Sequence, residues 1–244
     1  MSAEQGTPVV RRPEHVPASP LSPGVTASEL LNDEHGCRGL HHRRLRFAGG
    51  AGIIGTAGGQ GEAWYVISGA GTLDTGSGTL DTGESGTVTL EPGTAVWMTP
   101  ALRYTCQARP GPDLEVLAVT VRAGSAGTAG PARRVVRLDA CEPERTGDRE
   151  FRVLLSEGLS ITQFAGLIPP GRAPAHHHTY DEVVHVLAGR GVVHLSGATV
   201  EIGPGTSIYL PPYQPHCLEN TGSGPLEVLG VFFPAGSPAA KQAS

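Results

Sequence analysis

Apolar and polar residues alternate along this chain in short runs with a period of two. RLRF (44–47), AWYVI, TVTL and AVWM come first, and EVLAVTV follows after a longer gap. RVVRL, FRVLL, SITQFAGLI, EVVHVLA, GVVHL, TSIYL and EVLGVFF fill the second half. Runs of this length, bounded by Gly and Pro clusters, predict half-buried β-strands. Residues 26–36 (TASELLNDEHG) predict one short helix capped by Thr26 or Ser28. Residues 123–131 (AGSAGTAGP) read as a flexible linker and residues 1–25 as an arm, mobile or pinned onto a neighbour.

Composition sharpens this pattern. Gly (35) and Pro (21) are too frequent among 244 residues for long helices to survive. An all-β, turn-rich chain is therefore expected, and a helical bundle is excluded. The net charge of −5 argues against a nucleic-acid partner. No apolar run approaches the length of a membrane span, so no membrane partner is expected. The N-terminal residues lack the apolar core of a secretory signal, which predicts a cytoplasmic protein. Cys37, Cys106, Cys141 and Cys217 are widely spaced, as expected of reduced thiols.

The chain repeats itself. Glu62 and Glu182 each open the same unit, an acid followed by six mostly apolar residues and then Gly69 or Gly189. EPGTAVWMTP (91–100) likewise overlays GPGTSIYLPP (203–212). Two tandem copies of one β unit follow, with their boundary near residues 123–145.

The second copy carries candidate chemistry. In AHHHTYDE, His176 and His178 share one strand face and His177 takes the other. Glu182 returns four residues later, and His216 arrives from a distant strand. Three imidazoles and a carboxylate suit a divalent transition metal (Fe, Mn, Ni, Cu or Zn) and leave two octahedral positions open. The expected ligands are thus His176, His178, Glu182 and His216, with Glu182 doubling as a base if it leaves the metal. Gln163, Phe164, Tyr209 and Tyr213 are expected near the pocket. His185 and His194 read as strand-surface or interface residues. His35, Cys37, His41 and His42 read as a coil and strand start, and the basic run 41–46 as a solvated strand edge.

These two segments resemble the paired motifs of the cupin superfamily, G-x5-H-x-H-x3,4-E-x6-G and G-x5-P-x-G-x2-H-x3-N. There are two departures: four residues separate Gly171 from His176, and Tyr213 stands in place of a Gly. The resemblance covers both halves and implies a bicupin, all-β, with two tandem double-stranded β-helix (jelly-roll) barrels. The implied division is an arm over 1–42, a degenerate barrel over 43–122, a linker over 123–149, a metal-binding barrel over 150–235 and a tail over 236–244. In the first copy Thr56, Gly58 and Tyr104 replace the three histidines and only Glu62 persists, so that barrel is expected to be metal-free. The resemblance also implies a metal-dependent enzyme acting on a small organic molecule, a dioxygenase-type oxidoreductase with dioxygen as second ligand; the Gly/Ala/Arg-rich composition fits a bacterial source. The alternatives are a non-redox isomerase, cyclase, dehydratase or lyase, and a non-catalytic metabolite-binding cupin. A monomeric bicupin or a homodimer is expected.

Overall fold

The computed structural model describes residues 6–76, 86–122, 133–239 and 242–243. Among these there is no α-helix, only strands and three single-turn 3-10 segments at Pro13–His15, Asp33–His35 and Leu138–Ala140. The strands form two barrels of the same plan, the tandem jelly rolls expected.

In the first barrel the larger sheet is ordered Arg133–Arg137, Thr94–Met98, Glu62–Ser68, Leu114–Val121, Leu40–Phe47, Val25–Leu31, Ala18–Ser22. In the second it is Val9–Arg11, Ser207–Leu210, Asp181–Ala188, Leu226–Phe233, Thr162–Ile168, Arg149–Leu155, Glu144–Thr146. The two orders match strand for strand. The first strand of each belongs, by sequence, to the segment preceding the other barrel. Val9 pairs with Tyr209 in the second barrel, and Arg134 pairs with Trp97 in the first. Each barrel is thus closed at one edge by an arm from its partner, which covers backbone groups that would otherwise face solvent.

Alternation along each strand divides the side chains between two cores. Trp64 and Val66 fill the first barrel with Phe47, Leu73 and Leu90, whereas Ala63 and Tyr65 face the second barrel. Val184 and Val186 fill the second barrel, while Val183 packs against the first. The inter-barrel core also takes Leu40, Leu117, Val119, Leu154, Ile161 and Val231. The two large sheets are therefore stacked face to face through one continuous apolar layer.

The repeated Pro-Gly-Thr turn has a backbone reason. Gly93 and Gly205 hold φ +83° and +85° at equivalent places, a region where a side chain is strained.

Two expectations are corrected. Residues 26–36 form a strand, Val25–Leu31, and then a 3-10 turn. The burial of Val25, Ala27, Leu30 and Leu31 against both cores overrides the helix-like spacing. The arm is pinned within its own chain, Val9–Arg11 onto the second barrel and Ala18–Ser22 onto the first. The strand read at RVVRL is present as Arg133–Arg137, and the flexible-linker reading of 123–131 lies outside the described residues.

Candidate metal centre

The second barrel brings His176, His178 and His216 together. Their donor nitrogens all lie within 4.8 Å of one another. His176 sits on a two-residue strand paired directly with His216, which opens the strand His216–Asn220. Strand alternation then turns His177 away, toward the ring of Tyr213 at 6.1 Å. Glu182 comes from the neighbouring strand, with Oε2 3.4 Å from His216 Nε2 and 3.6 Å from His178 Nε2. That oxygen is buried and makes no hydrogen bond. The four residues singled out in the sequence therefore converge on one point.

The surroundings orient the donors. His216 Nδ1 donates to the carbonyl of Gln214 at 2.9 Å and His176 Nδ1 to that of Pro174 at 3.2 Å. Each bond fixes the proton on Nδ1 and leaves Nε2 free as a donor. His178 stacks on Tyr180, with centroids 5.0 Å apart and planes 10° from parallel. Asn220, the last motif residue, ties the loops beside its strand together, because its amide donates to the carbonyls of Ile168 and Gly224, both at 2.8 Å.

The electrostatics favour neutral His176 and His178 beside an ionised carboxylate, and make His216 more basic. Burial, helped by the nearby His216, pushes His176 down to about 4. Burial also lowers His178. For Glu182 burial favours the neutral form, but His216 and the other two imidazoles outweigh it and hold the carboxyl below its ordinary value. For His216 burial works against charge, but Glu182 outweighs it and the pKa rises. A buried, orphaned carboxylate oxygen facing three imidazole nitrogens fits a divalent transition metal.

A cavity of about 80 Å³ leads to this cluster. Its wall is largely apolar: Phe151, Phe164, Phe232, Ile168, Leu218 and Val228. Three of the chain's five phenylalanines are gathered here, packed with Tyr180. Phe164 was expected at the pocket and is there. Gln163, Tyr209 and Tyr213 are not among its lining residues. Gln163 is fully buried on the opposite face of the Phe164 strand. Tyr209 faces the first barrel, its hydroxyl on Asp181. Tyr213 is half exposed.

Sequence reasoning missed Arg149, which also lines the cavity. The signal was the alternation Arg149-x-Phe151-x-Val153, which puts all three on the barrel face. Its charge opposes protonation of both His178 and His216.

The first barrel has filled the equivalent place differently. Glu62 is buried and accepts from the Trp64 indole at 2.6 Å and the Gly58 amide at 3.2 Å. The Arg43 guanidinium lies 3.7 Å away. Tyr104 packs edge-on against Trp64 at 5.1 Å, where His216 stands in the other barrel. The basic run is thus no solvated edge. Its strand is interior to the sheet, with Arg43 turned into the barrel and His42 buried between the barrels. His41 pairs with Glu29, and His35 with Asn32 and Arg11.

The class defined so far is an all-β chain of two stacked jelly rolls with a histidine-rich, metal-type cluster in one of them. A cupin domain model matches residues 165–232, the strands that carry this cluster. An oxalate-binding protein of Thermotoga maritima is 34% identical over 111 residues, 40% of this chain and 92% of that protein. The chain belongs to the cupin family. An uncharacterized protein of Methanocaldococcus jannaschii is 40% identical over 80 residues, 32% of this chain; the match spans 64% of that protein's length. Among solved structures, a variant of Bacillus subtilis oxalate decarboxylase superposes with TM-score 0.75 at 15% identity, over 96% of this chain and 78% of the other. The Escherichia coli protein Ylba gives TM-score 0.75 at 16% identity, over 94% and 92%. These two share the double-barrel fold.

Proposed function

We propose that the second barrel holds one divalent transition metal on His176, His178, Glu182 and His216 and acts on a small organic molecule in a dioxygenase-type oxidation. The convergence of four donors at the end of a small cavity carries this reading. When bound, such a metal supplies Lewis acidity and, if redox-active, one-electron chemistry with dioxygen. The three imidazoles would hold it in their neutral forms, His176 and His216 through Nε2, while Glu182 would offset part of its charge. The phenylalanine-rich wall keeps water from the ligand.

Oxygen uptake separates redox from acid–base chemistry. Beyond the donor set, the wall's only acidic group is Glu150, which is tied to Arg152 at 3.2 Å and Arg145 at 3.6 Å. The proton carrier in either class is then Glu182 released from the metal. The oxalate-binding relative supports a small ligand in such a barrel, with or without turnover. In Bacillus subtilis oxalate decarboxylase the centres are Mn(II). The first barrel, with Arg43 as countercharge for Glu62, is proposed to be metal-free.

Elemental analysis of protein purified without a chelating column tests this, followed by oxygen-uptake screening. About one equivalent of Fe, Mn, Ni or Cu per chain with substrate-dependent oxygen uptake is the expected result. About one equivalent of Zn would move the reading to a non-redox reaction. No metal even after reconstitution would overturn it.

A further inference from the structure

We infer that Arg149 reads an anionic group on the ligand, so that the second barrel selects small monocarboxylic acids with a short apolar body. This deepens the metal-centre reading above and rests on it.

Three observations carry the inference. First, Arg149 projects from the barrel face of Arg149–Leu155, on the same side as Phe151 and Val153, and lines the cavity that contains His176, His178, Glu182 and His216. Second, it is uncommitted. Nearby Arg145 and Arg152 are both paired with Glu150, and Arg43 in the first barrel with Glu62. Arg149 has no carboxylate within ion-pair distance and no hydrogen bond among the described residues. A guanidinium left without a partner beside an apolar wall is a ready fork for a carboxylate. Third, most of the remaining wall is hydrocarbon. Phe151, Phe164, Phe232, Ile168, Leu218 and Val228 offer contact area, Thr146 adds one hydroxyl, and Glu150 is acidic, so no second cation awaits a second anionic group.

Together these place three kinds of recognition in one cavity. An oxygen of the ligand faces the donor cluster, a carboxylate meets Arg149, and a short hydrocarbon body fills the space against the phenylalanines. A compact dianion would leave that wall facing water. A neutral ligand would leave the guanidinium desolvated and unpaired, at a cost that favours the acid. The cavity's small volume excludes a multi-ring body.

The test measures binding by calorimetry on protein reconstituted with Zn(II), which performs no redox chemistry. The probes are 3-methyl-2-oxobutanoate, its neutral amide, and oxalate. The comparison is between the native chain, Arg149→Gln and Arg149→Lys, with zinc counted in each. The expected result is a loss of roughly ten- to hundredfold in acid affinity for Arg149→Gln, at unchanged zinc content and unchanged amide affinity. Arg149→Lys should restore part of the loss, because it keeps the charge without the fork. The native chain should bind the branched acid more tightly than oxalate.

Equal acid affinity in native and Arg149→Gln protein, both fully loaded, would overturn the inference alone. So would a zinc loss in Arg149→Gln, which would make Arg149 a support of the metal cluster. Tighter binding of oxalate would overturn the apolar-body half of the claim. A native chain that takes up no zinc or other metal would instead remove the metal-centre reading on which the inference rests.

Discussion

Arg43 stands against Glu62 inside the first barrel, at the place where the second barrel gathers three imidazoles around Glu182. Both glutamates are buried and open the same repeated strand, so both need a positive partner. One barrel meets that need within the chain, by a guanidinium, an indole N–H and a backbone amide. The other leaves a carboxylate oxygen unpaired, open to an external cation. The same fold thus presents a sealed and an open version of one site.

Removing the internal cation should therefore be costly. Arg43→Leu leaves Glu62 buried with only neutral donors. Breaking a buried pair on one side typically costs 3–5 kcal/mol; because the Arg43 side chain is 23% exposed, about 2–3 kcal/mol is expected. Urea unfolding checks the value. The double variant Arg43→Leu/Glu62→Leu should recover most of the loss, and a double variant no more stable than Arg43→Leu alone would show that Glu62 is not the charge at issue.

The proposed metal donors make a separable prediction. His176→Ala, His178→Ala and His216→Ala should each lower metal content per chain after dialysis, because each removes one imidazole from the donor set. Thr56→Ala and Tyr104→Phe, at the corresponding places in the first barrel, should leave it unchanged. Loss of metal from the Thr56 variant would mean that the first barrel is not silent.

The layer between the barrels holds a different kind of liability. His42 has no hydrogen-bond partner on either ring nitrogen, and Gln163 has none on its amide. The two occupy matching positions on matching strands, opposite Val119 and Val231. Each is an unsatisfied polar group in an apolar layer, worth about 1–3 kcal/mol of lost stability. His42→Leu and Gln163→Leu should each raise the melting temperature by a few degrees. A fall in either would show that the position holds a bound water or needs its present shape.

Acid should open the same layer. His42 meets His185 edge-on at 5.6 Å, and His185 Nδ1 shares a hydrogen bond with Ser207 Oγ at 2.8 Å. Burial, with Arg44 adding to it, pushes His185 down to about 3, and burial holds His42 well below its ordinary value. Both are neutral when folded and protonate at about 6.5 when unfolded, so the unfolded chain binds more protons in between. Stability should then fall as pH drops below about 6.5, by about 1.4 kcal/mol per pH unit for each histidine. Chemical denaturation between pH 4.5 and 7.5 reads the slope. His42→Leu should flatten it, and an unchanged slope in that variant would assign the effect elsewhere.

Much of this was legible in the residues. Alternation gave the strands, the repeat gave two barrels, and spacing gave His176, His178, Glu182 and His216. What the sequence concealed depended on which side of a strand faced what. Val25–Leu31 read as helical because Val25 and Ala27 serve one core while Leu30 and Leu31, across a bulge, both serve the other, which breaks simple alternation. His42 and Arg43 read as a charged edge because no local pattern shows that their strand lies inside the sheet. Arg149 stands outside both motifs, and only the barrel's closure brings it to the cluster.

The last departure from the motif has a conformational consequence. Tyr213 occupies the place usually held by Gly and adopts φ +64°; Ala101, at the matching turn of the first barrel, adopts φ +60°. A side chain in this region is strained by roughly 1 kcal/mol or more. In Tyr213 the strain accompanies an amide that donates to the carbonyl of His178 at 2.7 Å, so the turn is tied to the backbone of a proposed donor. Glycine at either position should relieve the strain, although its more flexible unfolded chain offsets part of the gain. Ala101→Gly and Tyr213→Gly are each expected to stabilise the fold by about 0.5–1 kcal/mol, measured by urea unfolding. The two should differ in one respect. The half-exposed Tyr213 ring lies beside His177, between the two proposed donors His176 and His178, so Tyr213→Gly should also speed metal release to a chelator, while Ala101→Gly should not. Equal release rates in the two variants would reduce Tyr213 to a turn residue with no part in guarding the site.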